Sequence, residues 1–404
     1  MASAGLARIE WADAQMPVLR SIRERFASER PLAGVRVAAC LHVTAETANL
    51  VRTLVAGGAD AALAAANPLS TQDDVAAALA QEAEVRGRRG EGVDAYAANV
   101  TALVDNGPQV TLDDGADLLA LLHERHPERL GEMLGGTEET TTGLLRLRAL
   151  ESEGRLGCPV LAVNEAATER LFNDHYGTGQ STLDGILRAT NLLLAGRTIV
   201  VLGYGFTGKG VAMRARGAGA QVILCEIDPM RALEARMEGF DVMPARVAAE
   251  RGDVFVTVTG SRDVLTTEHF ARMKDGAVLA NAGHFDIEID LPALRAAAAG
   301  GVHEVLPMVE QYDLGGRRLN LLASGRVVNL AAGQGHPAAV MDMSFANQAL
   351  AVEHLVRHPG RLGPGVHPVP EAVDREVARL KLESLGVEID VLTDAQRDYL
   401  RSWT

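Results

Sequence analysis

Two periods of apolar and polar positions alternate along this chain. Short aliphatic or β-branched runs recur, and each is followed by a stretch with apolar residues at three- and four-residue spacing. Residues 35–40 predict a buried strand and 44–54 a helix, and residues 61–66 and 71–80 repeat the pair. Residues 110–112 predict a further strand that ends in the acidic turn Asp113-Asp114-Gly115. Alternation of this kind, running to about residue 165, predicts an α/β unit on a mostly parallel sheet. From Gly196 the pattern sharpens into a strand at 198–202, a glycine-rich stretch at 203–210, a helix at 211–218 and a strand at 221–225. Two more strands are predicted at 254–258 and 277–281, and the Ala-rich stretch 296–299 reads as helix. After about residue 337 the pattern is helical, with one apolar face over 341–354. A Gly/Pro-rich bend at 358–370 and a final polar helix follow.

Length and composition narrow this picture. The 404 residues suggest two or three domains, and 47% apolar against 23% charged residues is the balance of a soluble globular protein. With 39 Lys+Arg against 53 Asp+Glu the formal charge is −14, which argues against nucleic acid or an anionic membrane as partner. Cys40, Cys158 and Cys225 are far apart with no C-x-x-C spacing, so neither a metal site nor a disulfide framework is expected. No secretory h-region and no apolar run of about 18 residues is present, so the expected location is the cytoplasm. His123 and His126 are read as a surface pair, and Met341 and Met343 as core residues.

Gly203-Tyr204-Gly205-Phe206-Thr207-Gly208 fits G-x-G-x-x-G, a weak pattern alone. Here a strand precedes it, a helix follows, and a second strand ends at Cys225, just before Glu226. In a dinucleotide fold the first glycine makes the tight turn, the second admits the pyrophosphate and the third lets helix and strand pack closely. A carboxylate at Glu226 would accept from ribose hydroxyls and repel a 2′-phosphate, which favours NAD. A phosphate-binding loop of the G-x-x-x-x-G-K type fails, because Gly210 stands where a Ser or Thr is required.

Four polar clusters lie just beyond predicted strands: Leu41-His42-Val43-Thr44-Ala45-Glu46-Thr47, Asn67 to Asp74, Leu112 to Gly115, and Gly136 to Gly143. Each alone could be helix capping. Four together, with a histidine among carboxylates, predict a nucleoside-type pocket with an acid–base relay.

With the glycine loop, Glu226-Ile227-Asp228-Pro229, Asn281 to Asp286 and Gly335-His336-Pro337, these segments resemble the S-adenosyl-L-homocysteine hydrolase family almost end to end. The ending Tyr399-Leu400-Arg401-Ser402-Trp403 resembles its shorter archaeal and thermophilic-bacterial branch. The resemblance implies two doubly wound parallel-sheet domains, the central one a Rossmann NAD-binding domain, plus a C-terminal helical arm. It assigns 1–179 and 336–368 to the substrate, 180–335 to NAD and 369–404 to the arm, in a homotetramer or dimer. NAD would oxidise a nucleoside hydroxyl, the neighbouring substituent would leave, water would add and the ketone would be reduced again. His42 and Asp114 would move protons, Glu139 and Thr140 hold ribose hydroxyls, and Thr44 and Glu46 hold the base edge. Thr47, Ser70, Gln72 and His336 are further substrate candidates, and His284 belongs with His336 in the hinge region. Beside Glu226 and the glycines, Phe206, Thr207, Asn164, Thr140, Thr141 and Thr142 are implied to face the cofactor. Thr259, Gly260, Asn281, Gly283 and Asn329 complete that set.

One segment departs from the family. Glu169 stands where the resemblance implies a catalytic lysine, and Asn173-Asp174 inverts the expected Asp-Asn. A carboxylate in place of an ammonium reverses the local charge and removes three donors. Glu169 or Asp174 is therefore expected to act as base in a redirected site, with net dehydration of a nucleoside, such as psicofuranine to decoyinine, as the main expectation. A genuine S-adenosyl- or S-inosylhomocysteine hydrolase is the alternative, and an impaired NAD-binding regulatory homologue a further one.

Overall fold

The structure, a computed structural model, describes residues 2–283 and 286–403. It contains two sheets. The first is built from β1 (Arg36–Leu41), β2 (Asp60–Ala65), β3 (Glu84–Arg86), β4 (Val110–Asp113), β5 (Gly135–Glu138) and β6 (Pro159–Ala162). The second carries β7 (Thr198–Leu202), β8 (Gln221–Cys225), β9 (Asp241–Val242), β10 (Val254–Thr257) and β11 (Ala277–Asn281). It is extended by β12 (Gly301–Leu306), β13 (Val309–Asp313) and β14 (Arg318–Leu322). A last strand, β15 (Gly365–Pro368), returns to the first sheet.

The first sheet has the order β15-β6-β5-β4-β1-β2-β3 and is parallel throughout. Helices cover both faces, which is why five consecutive residues of β1 and all four of β4 are buried instead of alternating. The second sheet has the order β12-β13-β14-β11-β10-β7-β8-β9. It is parallel from β14 to β9, and β12, β13 and β14 form an antiparallel edge. In each sheet the order reverses once, between β1 and β4 and between β7 and β10. Open α/β sheets bind ligands beyond the strand ends at such points.

The chain crosses between sheets twice. It leaves the first through a π-helical segment, Glu169–Gly177, and the helix Thr178–Thr190. It returns through Val328–Ala331 to a long helix, Ala338–Arg357, whose apolar side joins the first core. At the crossing, the Gly210 Cα lies so close to the π-helical segment that a Cβ there would meet the His175 carbonyl at 1.8 Å.

Several element boundaries differ from the sequence pattern for local reasons. The glycine-loop helix starts at Phe206 and not at 211, because packing at Gly208 and Gly210 outweighs their low helix propensity. The helix expected over 71–80 is Asp73–Leu79, since the Ser70 and Thr71 hydroxyls both donate to the Asn67 carbonyl and hold a turn there. The bend 358–370 contains β15, where an edge position tolerates Pro368. The single polar helix at the end is two, Glu371–Ser384 and Asp394–Arg401, separated after Gly386 at φ 66°. Helix Leu291–Ala297 ends inside the Ala-rich stretch, and Ala298 begins a turn into β12.

Candidate active site

A cleft of about 340 Å³ opens between the two sheets, lined from one side by the β1 and β4 ends and from the other by Thr207 of the glycine loop after β7 and by the β10 and β11 ends. Both reversal points therefore face one space.

On the first wall, His42 follows β1 and Asp114 follows β4, and the register Cys40↔Asp113 brings them together. His42 Nε2 is 3.5 Å from Asp114 Oδ2, while its Nδ1 is 2.5 Å from the Ser70 hydroxyl. One ring is thus held between a hydroxyl and a carboxylate, an arrangement that can relay a proton. Thr44 caps the helix Ala45–Ala56 by accepting from Thr47 N, and Thr44, Glu46 and Thr47 line the same end. Burial raises the proton affinity of Glu46 above the ordinary carboxylate range. Ser70 and Gln72 stand behind this wall and not on it.

The next wall comes from β5. Buried Glu138 accepts from Gly115 N (2.9 Å), Thr140 N (2.9 Å) and Thr140 Oγ1 (2.8 Å), which ties the Asp114 turn to the hydroxyl run. A Cβ at Gly143 would lie 2.2 Å from that carboxyl carbon. Glu139 points into the cleft and accepts from the Ser344 hydroxyl and the Gln348 amide of the long helix. Burial pushes Glu139 up to about 7, opposed by those two donors and reinforced by Asp114. Thr141 donates to Asn164 at 3.0 Å, and Thr140, Thr141, Thr142 and Asn164 all line the cleft.

The crossing segment supplies Glu169, Asn173 and Asp174. Glu169 is only 2% exposed, and its Oε1 accepts from the Asn173 amide. Burial, then Glu139 and Asp174, hold its proton affinity well above the ordinary range. Asp174 is pushed up to about 7 by burial, with Arg170 opposing and Glu139 adding. Among the described residues, Glu169 Oε2 and Asn173 Oδ1 are buried without a hydrogen-bond partner.

The far wall fits a dinucleotide. Gly203 has φ 107°, which an L side chain rarely adopts, and its Cβ would meet the Val258 carbonyl at 2.7 Å. A Cβ at Gly208 would lie 2.1 Å from the Gly203 carbonyl, whereas around Gly205 only Arg231, among the described residues, comes within 4 Å. The tight turn, the close packing and the free approach are thus assigned to the three glycines, at the start of the helix Phe206–Gly217. Glu226 closes β8 and accepts from Tyr204 N at 2.7 Å, so its carboxylate faces the loop. Thr207, Thr259, Gly260, Gly283 and Asn329 line the cleft, while Gly203, Gly205, Phe206, Gly208 and Glu226 extend the loop beyond it. Asn281 is buried behind, accepting from Thr257 and Gly283. His336 Nε2 is 3.0 Å from the Thr178 hydroxyl and 3.3 Å from the Asn329 amide, and burial, with His42 adding, lowers it to about 4. His284 lies outside the described residues.

Sequence reasoning missed several contributors. Ser344 and Gln348 are buried polar positions on the apolar helix Ala338–Arg357, and four-residue spacing puts both on Glu139; that interruption was the available signal. Met341, expected in the core, packs against it partly buried and also lines the cleft with Phe345. Buried Glu288 accepts from Thr259 N, Thr259 Oγ1 and Gly260 N, fixing the β10 loop, and nothing in its local pattern marks it. Both histidines of the expected surface pair are half-buried: His123 bonds Leu119 O and Gly157 N, and His126 pairs with Asp105 and Glu128.

Comparison with known proteins agrees with this geometry. The family model for the NAD binding domain of S-adenosyl-L-homocysteine hydrolase matches residues 174–335, and that for S-adenosyl-L-homocysteine hydrolase matches residues 1–134. The adenosylhomocysteinase of Aquifex aeolicus is 57% identical over 406 residues, covering 100% of this chain and 97% of its own. The S-inosyl-L-homocysteine hydrolase of Methanocaldococcus jannaschii is 52% identical over 400 residues, covering 99% of this chain and 96% of its own. The fold resembles a dipicolinate synthase chain from Bacillus halodurans, with a TM-score of 0.53 at 13% identity over 81% of this chain and 100% of that one. These relatives overturn the expectation of a net dehydration: full-length proteins of such identity are named hydrolases, so the changes at 169–174 do not by themselves indicate another reaction.

Proposed function

This chain belongs to the S-adenosyl-L-homocysteine hydrolase family and uses NAD, and we propose that it hydrolyses the thioether of S-adenosylhomocysteine to a nucleoside and homocysteine. The observation that carries this reading is the single cleft with the His42–Asp114 pair on one wall and the dinucleotide loop on the other.

When bound, NAD supplies a two-electron acceptor that takes hydrogen from a sugar carbon and gives it back at the end of the cycle. The resulting ketone acidifies the neighbouring C–H, which otherwise no side-chain base could ionise. His42, between Ser70 and Asp114, is assigned to take that proton, and Asp114 to serve the leaving sulfur and the entering water. Glu139 and Thr140 are assigned to the ribose hydroxyls. Neutral His336, beside Asn329 and Thr178, is assigned to the junction of substrate and cofactor.

We assign Thr44, Glu46 and Thr47 to the base edge. A carboxylate there accepts from a 6-amino group and opposes a 6-oxo group, which favours the adenine nucleoside over the inosine one. Residues 1–179 and 336–368 are assigned to the substrate and 180–335 to NAD. The arm 369–404 exposes Leu385, Ile389, Val391, Tyr399 and Trp403, which supports burial against further copies in a homotetramer. No helix among the described residues is long and apolar enough to cross a membrane.

Incubating the NAD-loaded protein with S-adenosylhomocysteine, and in parallel with S-inosylhomocysteine, while titrating free thiol tests the reading. Thiol release with the adenosine substrate preferred is expected. Absence of thiol from both refutes it, and preference for the inosine substrate refutes the role of Glu46.

A further inference from the structure

Glu169 is a buried acid whose carboxyl is incompletely satisfied. Its Oε1 accepts from Asn173, and its Oε2 has no partner among the described residues although water cannot reach it. Asn173 Oδ1 is likewise buried and unpartnered among them. Both side chains line the cleft between Glu139 and the crossing to the second sheet. Two unmatched acceptors side by side in a closed site cost stability unless a ligand donates to them. The segment that carries them is π-helical, a geometry that recurs at functional sites.

We propose that Glu169 is the catalytic base for the sugar hydroxyl whose carbon is oxidised, with Asn173 positioning its carboxyl. This rests on the hydrolase reading above for the identity of the nucleoside, but not for the chemistry of the step. The hydroxyl O–H bond breaks and its proton joins Glu169 Oε2, while the carbon gives up its hydrogen with an electron pair to the two-electron acceptor already described. The carbon–oxygen double bond forms, and the carbon is the atom oxidised. In the last step of the cycle Glu169 returns the same proton to oxygen.

The surroundings suit a base that must also keep its proton. The titratable groups facing Glu169 are Glu139 from the β5 end and Asp174 on its own segment. The Ser344 hydroxyl of the long helix, already bonded to Glu139, also lies within reach of the Glu169 carboxyl and favours its charged form. Burial and these two carboxyls favour the protonated form, and the Asn173 amide and Ser344 hydroxyl oppose them, so Glu169 can both take a proton and hold it until the ketone is reduced. Like a lysine, Glu169 must be deprotonated before it can accept, so the oxidation rate should rise with pH; unlike a lysine, its accepting form is an anion with two acceptor oxygens.

Adenosine, which has no thiol to lose, isolates this half-reaction. Three proteins are compared: native, Glu169→Gln and Glu169→Asp. Adenosine affinity is measured by calorimetry, with and without NAD, and oxidation by the near-ultraviolet band of reduced nicotinamide. Glu169→Gln is expected to bind adenosine within a few-fold of native yet develop the band about 10²–10⁴-fold more slowly, and Glu169→Asp to recover part of the rate. Infrared difference spectra on adding adenosine without NAD should show a carboxyl band that Glu169→Gln lacks. Asn173→Ala should move the alkaline rise of the oxidation rate to higher pH, because the amide that favours the carboxylate is gone. Oxidation by Glu169→Gln at the native rate overturns the proposal, and so does loss of adenosine binding in that variant with the rate unchanged at saturation. If the native protein oxidises adenosine but releases no homocysteine from S-adenosylhomocysteine, the hydrolase reading fails and the role of Glu169 stands.

Discussion

The His42 imidazole stands 3.5 Å from the Asp114 carboxylate because their strands are neighbours at the reversal point of the first sheet, and Ser70, 2.5 Å from the other ring nitrogen, fixes which way the ring faces. The arrangement predicts a graded response. His42→Gln and Asp114→Asn should each lower thiol release by about 10²–10⁴-fold, and Ser70→Ala by less, with adenosine binding retained in all three. Steady-state assays with a KM-against-kcat split check it, and a loss confined to KM contradicts a proton-transfer role.

Ser344 and Gln348 favour the charged form of Glu139 and partly offset the burial that raises it to about 7. Removing either donor raises the proton affinity of Glu139 further. In Ser344→Ala and Gln348→Ala the acid limb of the pH–rate profile should therefore move to higher pH. An unmoved limb would show that Glu139 does not act as a carboxylate in the cycle.

Glu139 and Asp174 both hold protons up to about 7, against ordinary values of 4.5 and 3.8. Between those limits the folded chain binds more protons than the unfolded one. The stabilisation is fully present below the ordinary values and is lost as pH rises through 7. The cofactor-free protein should therefore melt at lower temperature at pH about 8 than at pH about 5, and Asp174→Asn should flatten the slope. Asp275, held down to about 2 by Arg318, titrates below this window, while His336, lowered to about 4, works the other way up to its ordinary 6.5. The two raised carboxyls outweigh one histidine, and Asp174→Asn isolates their share. Scanning calorimetry across pH checks the sign.

The glycines of the β7 loop separate fold from cofactor. Gly205 has open space around it and φ −73°, so Gly205→Ala should leave the Tm of the cofactor-free protein unchanged while NAD retention falls. Gly208→Ala drives a Cβ to 2.1 Å from the Gly203 carbonyl and should lower both Tm and NAD retention. Equal effects in the two variants would contradict this division.

Most of the fold could be read from the chain because its strands are buried on both faces and therefore stand out as apolar runs, as in 198–202 and 277–281. The elements that escaped are those in which long-range pairing overrides local composition. β15 lies in a Gly/Pro-rich bend and exists because β6 offers an edge, and the glycine-rich start of the helix at Phe206 exists because of its packing against His175. Much of the cleft was legible as well, since His42, Asp114, Glu139 and Glu169 follow strands or open helical segments. Residues that act from behind, such as Glu138, Glu288, Ser344 and Gln348, were not, because their partners lie far away along the chain. The reversed charge at Glu169, read in isolation, suggested a net dehydration, and it is the full-length relatives that overturn that reaction, while the structure puts the same carboxyl on the cleft.

The cycle proposed for this chain breaks a thioether and restores its own cofactor. Protein carrying only its bound NAD is mixed with excess S-adenosylhomocysteine, with none of the cofactor added, and homocysteine and nucleoside are counted per protein chain. Many equivalents of both, in equal amounts and with NAD returned to its oxidised form, are predicted. One equivalent or fewer, or nucleoside formed without homocysteine, would contradict it.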